Sequence, residues 1–406
     1  MSAYDFLSDV LVLEVAQLGP DALGGILADM GATVIKVEEP ASGDAVRYAG
    51  TFSIGGSEGG FGYMHTRWNR GKKSVALNLR DPEGVELFKR LASKADIVIE
   101  GMRAGALDKL GLGFSSLSNC NSRIVFCSLS GLGRDGPYAR MPSLGPSFDA
   151  FGGLCVVEPG QEISKWNKPQ PPAIGMYGMG WPAAVGVLAA LYRARTTGKG
   201  AMIEVAAADV SAQWLPEATD AALNEKASFE RGGFADDKGR MVKWARMDYY
   251  RAADGHVLLV QLYHDPHWKK FLRLIHREDL EALNNHPTAS NSEEQLARAL
   301  TGIFATRTRD EWLDVAENYD LPFMPVNTPH DLVSNPHFLA RKSTYTVRHP
   351  VVGDLRLSAT PIKTLNQEFA PALAPDLGQD TDSVLVKLLG LNAADIEDLR
   401  IRNVVR

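Results

Sequence analysis

Apolar and polar positions in the first 130 residues follow two alternating patterns. Residues 10–15, 33–37, 73–79, 96–100 and 123–129 are short runs rich in Val, Ile and Leu. Continuous runs of that length suit strands covered on both faces. Between them, 21–30, 82–94 and 107–111 have helical character, with Gly31 as the stop of the first. Strands and helices that alternate with short links predict a parallel sheet carrying helices on both faces.

Residues 171–207 read as a glycine-interrupted loop, a helix and a strand. Pro182 suits a first helical turn, and Ala183, Ala184, Val187, Leu188 and Leu191 make an apolar stripe at helical spacing. Arg193 and Arg195 suit the helix C-terminus, Gly198 is a natural stop, and 203–206 reads as a short buried strand. In the loop 174–180, three glycines let backbone approach a ligand or another chain, or simply pack the turn. Beyond 208 the pattern changes. Residues 249–262 predict a hairpin turning at Asp254-Gly255, and 267–275, 279–283, 292–301 and 309–317 predict amphipathic helices. Residues 331–340 lead back towards the first domain, and 375–406 hold a turn and two helices broken at Gly390.

A chain of 406 residues calls for about two or three domains. With 45% hydrophobic and 23% charged residues the composition is that of a soluble globular protein. The net charge of -6, without a basic run, argues against nucleic-acid binding. No signal-peptide pattern and no apolar run of membrane-spanning length stands out, so a cytoplasmic protein without a membrane segment is expected. Cys120, Cys127 and Cys155 are not spaced as metal ligands, and Cys127 belongs to an apolar run. His65 and His264 likewise lack ligand spacing, and no metal is expected. After the first strand, Gly19, Gly24 and Gly25 are wrongly spaced for a dinucleotide fingerprint, which disfavours an NAD-dependent enzyme.

Longer motifs carry a resemblance that pattern alone does not supply. They are ADMGATVIKVEEPASGDAVR at 28–47, NRGKKSVALNL at 69–79, ADIVIEGMRAGALDKLGLG at 95–113, SLSGLGRDGPYA at 128–139, VGVLAALYRARTTGKG at 185–200, DEW at 310–312 and LAPDLGQDTDSVL at 373–385. In these the chain resembles the class III CoA-transferases. That family includes formyl-CoA:oxalate and carnitine CoA-transferases, the 2-methylacyl-CoA racemases, and the two-subunit succinyl-CoA:(R)-benzylsuccinate CoA-transferase of anaerobic toluene breakdown. The last is the specific relative the resemblance suggests. The resemblance implies an α/β fold with a large Rossmann-like domain, 1–205 with 335–406. It also implies a small α+β middle domain at 225–325, linkers at 206–224 and 326–334, and an interlocked-ring dimer.

The family transfers CoA through an aspartate carboxylate that attacks the thioester, giving a mixed anhydride and CoA thiolate and then an aspartyl-CoA thioester. The motif alignment puts Met176 at that aspartate's position and Gly145 at a second family carboxylate. A thioether has no oxygen to acylate. The racemase branch needs a histidine and an aspartate at these positions and is disfavoured too. The chain therefore reads as a non-catalytic subunit that pairs with a homologous catalytic chain as a heterodimer or heterotetramer. The substrates of that pair would be an acyl-CoA and a carboxylic acid. Asp149 is the rival nucleophile, for an active homodimer, against its plainer role as a capping carboxylate. A CoA-binding scaffold without chemistry is the third reading. By resemblance, Arg70, Lys72, Lys73 and Lys109 stand near CoA phosphates and Gln17 faces the thioester. Met102, with Gly101, replaces an Asn-Phe pair beside the adenine and pantetheine.

Overall fold

Strands β1 (Leu11–Ala16), β2 (Thr33–Glu38), β3 (Lys73–Ala76), β4 (Ile97–Gly101), β5 (Val125–Ser130) and β6 (Ala201–Ala206) form one parallel sheet in the order β3-β2-β1-β4-β5-β6. This is the strand order of a doubly wound sheet, which reverses between β1 and β4. The computed structural model describes residues 4–48, 53–54, 61–155, 162, 173–224, 244–283 and 290–406. Pro171 and Pro172, the start of the glycine-interrupted loop, lie outside the described residues.

Strand residues divide by parity between two cores. Val12, Val34, Ile97, Ile99, Val125, Cys127 and Leu129 face helices α1 (Asp21–Asp29) and α5 (Gly180–Thr197). Leu13, Ile35, Val37, Val98 and Phe126 face α2 (Pro82–Ala92) together with Val384, Leu385, Ile396 and Leu399 from the far end of the chain. The first strands thus require the C-terminal residues to be covered. The run expected over 73–79 leaves the sheet after Ala76, because Leu77 forms an isolated antiparallel bridge with Val405. Among the short helices with no counterpart in the expected elements are α3 (Gly145–Phe151), α4 (Ile174–Gly178) and α6 (Ala207–Gln213).

By internal packing the chain divides into two units, Met1–Pro216 with Lys342–Arg406, and Glu217–Arg341. In the second unit the strands Met247–Arg251, Val257–Gln261 and Phe323–Pro325 form an antiparallel sheet, with Gly255 at φ +84° in the hairpin loop. Helices Asp265–Leu274, Ser290–Phe304 and Arg309–Tyr319 cover it around Trp268, Phe271, Phe304, Trp312 and Phe323.

Beneath the ends of β1 and β2 lies a buried charge network. Lys36 Nζ stands 2.6 Å from Asp21, 2.7 Å from Asp44 and 3.8 Å from Glu14, and donates to the Ala16 carbonyl at 2.8 Å. Lys72 Nζ donates to Glu14 at 2.6 Å, and Arg47 grips Glu38 with bonds of 2.8 and 2.6 Å. Three cations face four carboxylates, all of them buried. One carboxyl is left to keep its proton. Burial and the neighbouring Asp21 push Asp44 up to about 7, against the pull of Lys36. Burial opposes ionisation of Glu38, but Arg47 and Lys36 outweigh it and hold that group down at about 2.

A raised carboxyl pKa means that the folded state holds a proton the unfolded chain has released. The stability this contributes is whole below about pH 4 and is lost as pH rises through about 7. His65, pushed down to about 3 by burial and by Arg47, acts with the opposite sign, so the comparison must be differential. We predict that the stability margin of wild type over Asp44→Asn, from urea unfolding between pH 4 and 8, shrinks as pH rises, by at most about 1.4 kcal/mol per pH unit. A margin that does not vary with pH would refute the assignment.

Candidate active-site cavity

A cavity of about 570 Å³ opens at the carboxyl ends of β1, β4 and β5, at the point where the strand order reverses. It is lined by loops 17–20, 101–104 and 129–133, by α3 and the segment before it, and by Met176 and Met179. A second cavity of about 260 Å³ continues across β1, β2 and β3 and shares Gln17 and Met102 with the first. Crevices of this kind are where open α/β sheets bind ligands.

Two non-glycine residues with left-handed backbone flank the larger cavity, Leu18 at φ +59° and Ala173 at φ +56°. Such conformations cost of order 1–3 kcal/mol and persist where the surroundings enforce them. At Ala173 the enforcing group is Asp149. Its Oδ2 accepts from Ile174 N–H at 2.9 Å, and its Oδ1 accepts from Gly175 N–H at 2.9 Å and Ser211 Oγ–H at 2.8 Å. Asp149 is fully buried and lines neither cavity. It anchors the start of α4, and both its oxygens are engaged. The plainer of its two expected roles is the one this geometry supports.

Met176 projects from α4 into the larger cavity. It packs with Leu18, Met64, Ala22, Val46 and Trp68 and also against the main core. A Cβ placed on Gly145 would stand 3.1 Å from Met176 Sδ, and one on Gly19 would stand 2.6 Å from its Cγ. The methionine therefore takes up room that a side chain at 145 would need. No aspartate or glutamate lines the larger cavity among the described residues. Gly101 has a similar cause: a Cβ there would meet Pro20 at 2.3 Å and Ala16 at 2.5 Å, leaving no space for an asparagine.

Of the residues expected near CoA, Gln17 and Met102 line both cavities. Arg70 and Lys72 do not. Arg70 is paired to Asp29 at 2.8 and 2.6 Å, bonds the Ser358 carbonyl and lies over the Tyr345 and Phe369 rings. Lys72 is committed to Glu14. With their charges compensated in the interior, these two residues offer no open cation to a phosphate. Lys73 is 3.7 Å from Asp380 and lines a different cavity, among 31–34, 65–73 and 372–380. Lys109 is exposed and lines neither site cavity. The cations that do border the two cavities are Arg103 and Arg80. Sequence reading missed them, although Arg103 directly follows a strand end at the reversal point, which is the signal that could have found it. Ser130, Ser143 and Ser147 add hydroxyls to the lining. His65 is buried against the Pro375 carbonyl, and no group of metal-ligating side chains occurs among the described residues.

Comparison with known proteins agrees with this layout. The model of CoA-transferase family III matches residues 7–381. Succinyl-CoA–D-citramalate CoA-transferase of Chloroflexus aurantiacus is 28% identical over 98% of this chain and 98% of its own. The alpha subunit of succinyl-CoA–L-malate CoA-transferase from Chloroflexus aurantiacus is 29% identical over 98% of this chain and 92% of its own. The crystal structure of a CAIB/BAIF family protein from Brucella suis superposes with a TM-score of 0.74 at 28% identity, covering 95% of this chain and all of that one.

Asp149→Ala leaves the N–H groups of 174 and 175 without their acceptor, while the Ser211 hydroxyl retains the Ala207 carbonyl at 3.2 Å. It is expected to cost about 1–3 kcal/mol, measured by denaturant unfolding. Asp149→Asn retains one acceptor and is expected to cost less. Equal stability of Asp149→Ala and wild type would remove the anchor role.

Proposed function

Since the chain belongs to CoA-transferase family III, we propose that it acts in moving CoA between a thioester and a free carboxylic acid, as the subunit that supplies no nucleophile. What supports this is that Met176, which the motif alignment sets at the family aspartate's position, lines the cavity beside Gly145, with no aspartate or glutamate in the lining among the described residues. In the proposed assembly a homologous chain contributes the aspartate, in a heterodimer or heterotetramer. Its carboxylate attacks the thioester carbonyl and expels CoA thiolate. The thiolate then attacks the resulting anhydride at the aspartyl carbonyl and releases the donor acid. The acceptor carboxylate next attacks the aspartyl-CoA thioester and expels CoA thiolate, giving an anhydride with the acceptor, and the thiolate then attacks the acceptor's carbonyl, forming the new thioester and releasing the aspartate carboxylate. Loss of such a nucleophile costs about 10⁴–10⁶ in rate, roughly 6–8 kcal/mol, more than positioning alone restores.

The relatives' names supply the substrate class. They pair succinyl-CoA with dicarboxylic acids, and one of them is named as a subunit. We take succinyl-CoA as the donor and a dicarboxylic acid as the acceptor, with (R)-benzylsuccinate the specific acceptor to try first. CoA itself would lie along the two joined cavities, with Gln17 and Met102 at their junction and Arg103 and Arg80 at the phosphates.

A second reading, an active homo-oligomeric transferase using a carboxylate other than the missing aspartate, is favoured by the relatives as a group. They match almost end to end and carry transferase names.

The two readings part on one experiment. The chain is purified alone and together with a family member that carries the aspartate, and CoA transfer from succinyl-CoA is assayed. The lone chain is expected to show less than about 10⁻⁴ of the pair's rate. Hydroxylamine after succinyl-CoA incubation is expected to mark the partner and leave this chain unlabelled. Full transfer by the lone chain, or a hydroxamate on one of its own carboxylates, would establish the second reading.

A further inference from the structure

Two loops that line the larger cavity leave adjacent strands, β4 and β5, and a single arginine ties them together. The first is an arch, 101–107, which carries Met102 and Arg103 into the lining. A turn within it runs from Ala106 N–H to the Arg103 carbonyl at 3.0 Å. Glu100, the residue before the arch, is fully buried, and its Oε1 accepts from Leu107 N–H at 2.9 Å. The arch thus closes onto the strand that starts it. The second loop, 131–134, follows β5. Its Gly131 is packed so closely that a Cβ there would stand 2.4 Å from the Phe148 ring. At its end, Arg134 Nη1 donates to Glu100 Oε2 at 2.7 Å and to Ser128 Oγ at 3.1 Å. Nη2 pairs with Asp108, one residue beyond the arch. One guanidinium therefore grips both ends of the arch, and the Arg134 backbone N–H bonds the Glu204 carboxylate on β6.

We propose that Arg134 and Glu100 are positioning residues for the anionic ligand of this cavity, setting the arch so that Arg103 meets the ligand's negative group. The inference rests on the proposed function, in which a CoA thioester enters here. Neither Glu100 nor Arg134 lines either cavity, so neither touches the ligand. Arg103 is the one cation in the larger cavity's lining among the described residues. No described residue forms an ion pair with it, so its placement depends on the backbone that carries it. Charge-assisted bonds at both ends of a short arch fix where its middle stands. The same guanidinium holds the glycine loop on the opposite wall, and the width of the cavity between the two loops follows from one set of bonds. The dependence runs both ways. Glu100 without Arg134 would be a stranded interior charge, which burdens the fold. A test of positioning therefore removes both charges together.

The test is calorimetric titration of the full chain with succinyl-CoA. The variants are Arg103→Ala, the neutral pair Glu100→Gln with Arg134→Gln, and all three substitutions combined. The neutral pair keeps the side-chain shapes, and an unchanged thermal midpoint certifies its fold. Arg103→Ala and the neutral pair are each expected to weaken binding about tenfold. The triple variant is expected to lose about tenfold as well, because both changes act through one guanidinium. Arg134→Lys, which keeps the charge, is expected to recover part of the affinity. Losses that multiply to about a hundredfold would overturn the positioning role, and so would a neutral pair that binds like wild type. Should the neutral pair not fold, Asp108→Asn removes the outer, half-exposed anchor alone. Its expected loss of about threefold should vanish in the Arg103→Ala background, and a loss that persists there would overturn the role equally. A wild-type chain that does not bind succinyl-CoA would remove the proposed function, and the positioning role with it.

Discussion

One buried ammonium organises the reactive end of the sheet. Lys36 holds Asp21 at the start of α1, Asp44 in the turn after β2 and the carbonyl that ends β1, all without solvent. None of these segments can shift without stranding a charge, and stranding one member of a buried pair costs about 3–5 kcal/mol. The loop 17–20 therefore leaves β1 on a fixed course, and Pro20 is held against Gly101. The two cavities inherit their shared wall, Gln17 and Met102, from that course. The network also engages the basic cluster around residue 70 through Lys72, which is paired to Glu14. Its cations are what the buried carboxylates require.

The parallel sheet was legible because strands covered on both faces spell themselves out as apolar runs, and β1, β2, β4 and β5 fall within one or two residues of those runs. Contacts distant in sequence were not legible. The shortened β3 depends on Val405, and the second core depends on Ile396 and Leu399, which no local pattern connects to the first hundred residues. The helix α3 buries little apolar surface, chiefly Phe148, so its apolar period is weak, and it forms because Asp149 ties it to α4 and α6.

The same distinction separates the site residues. Gln17, Met102 and Met176, singled out by the resemblance, all line the crevice, to which Gln17 and Met102 are carried by the ends of β1 and β4. Arg70 and Lys72 could not be placed, since a cation's charge does not name its partner. Asp29 and Glu14 lie 41 and 58 positions away. A basic motif in sequence is equally a phosphate site or one side of an interior ion pair, and only the fold decides between them.

Met176 and Gly145 lie 31 positions apart in sequence, yet in space they adjoin. The thioether reaches the volume that a side chain at 145 would occupy, and the glycine is what makes that reach sterically free. The methionine is partly buried, packed against Ala22, Val46 and Trp68 on one side and lining the cavity on the other. On its inner side position 176 has apolar neighbours, against which burial of a carboxylate would favour the protonated form. The polar groups that line the cavity beside the methionine are Gln17, Arg103, Ser130, Ser143 and Ser147, hydrogen-bonding groups and one cation, so any negative charge developing there meets donors and no carboxylate among the described residues.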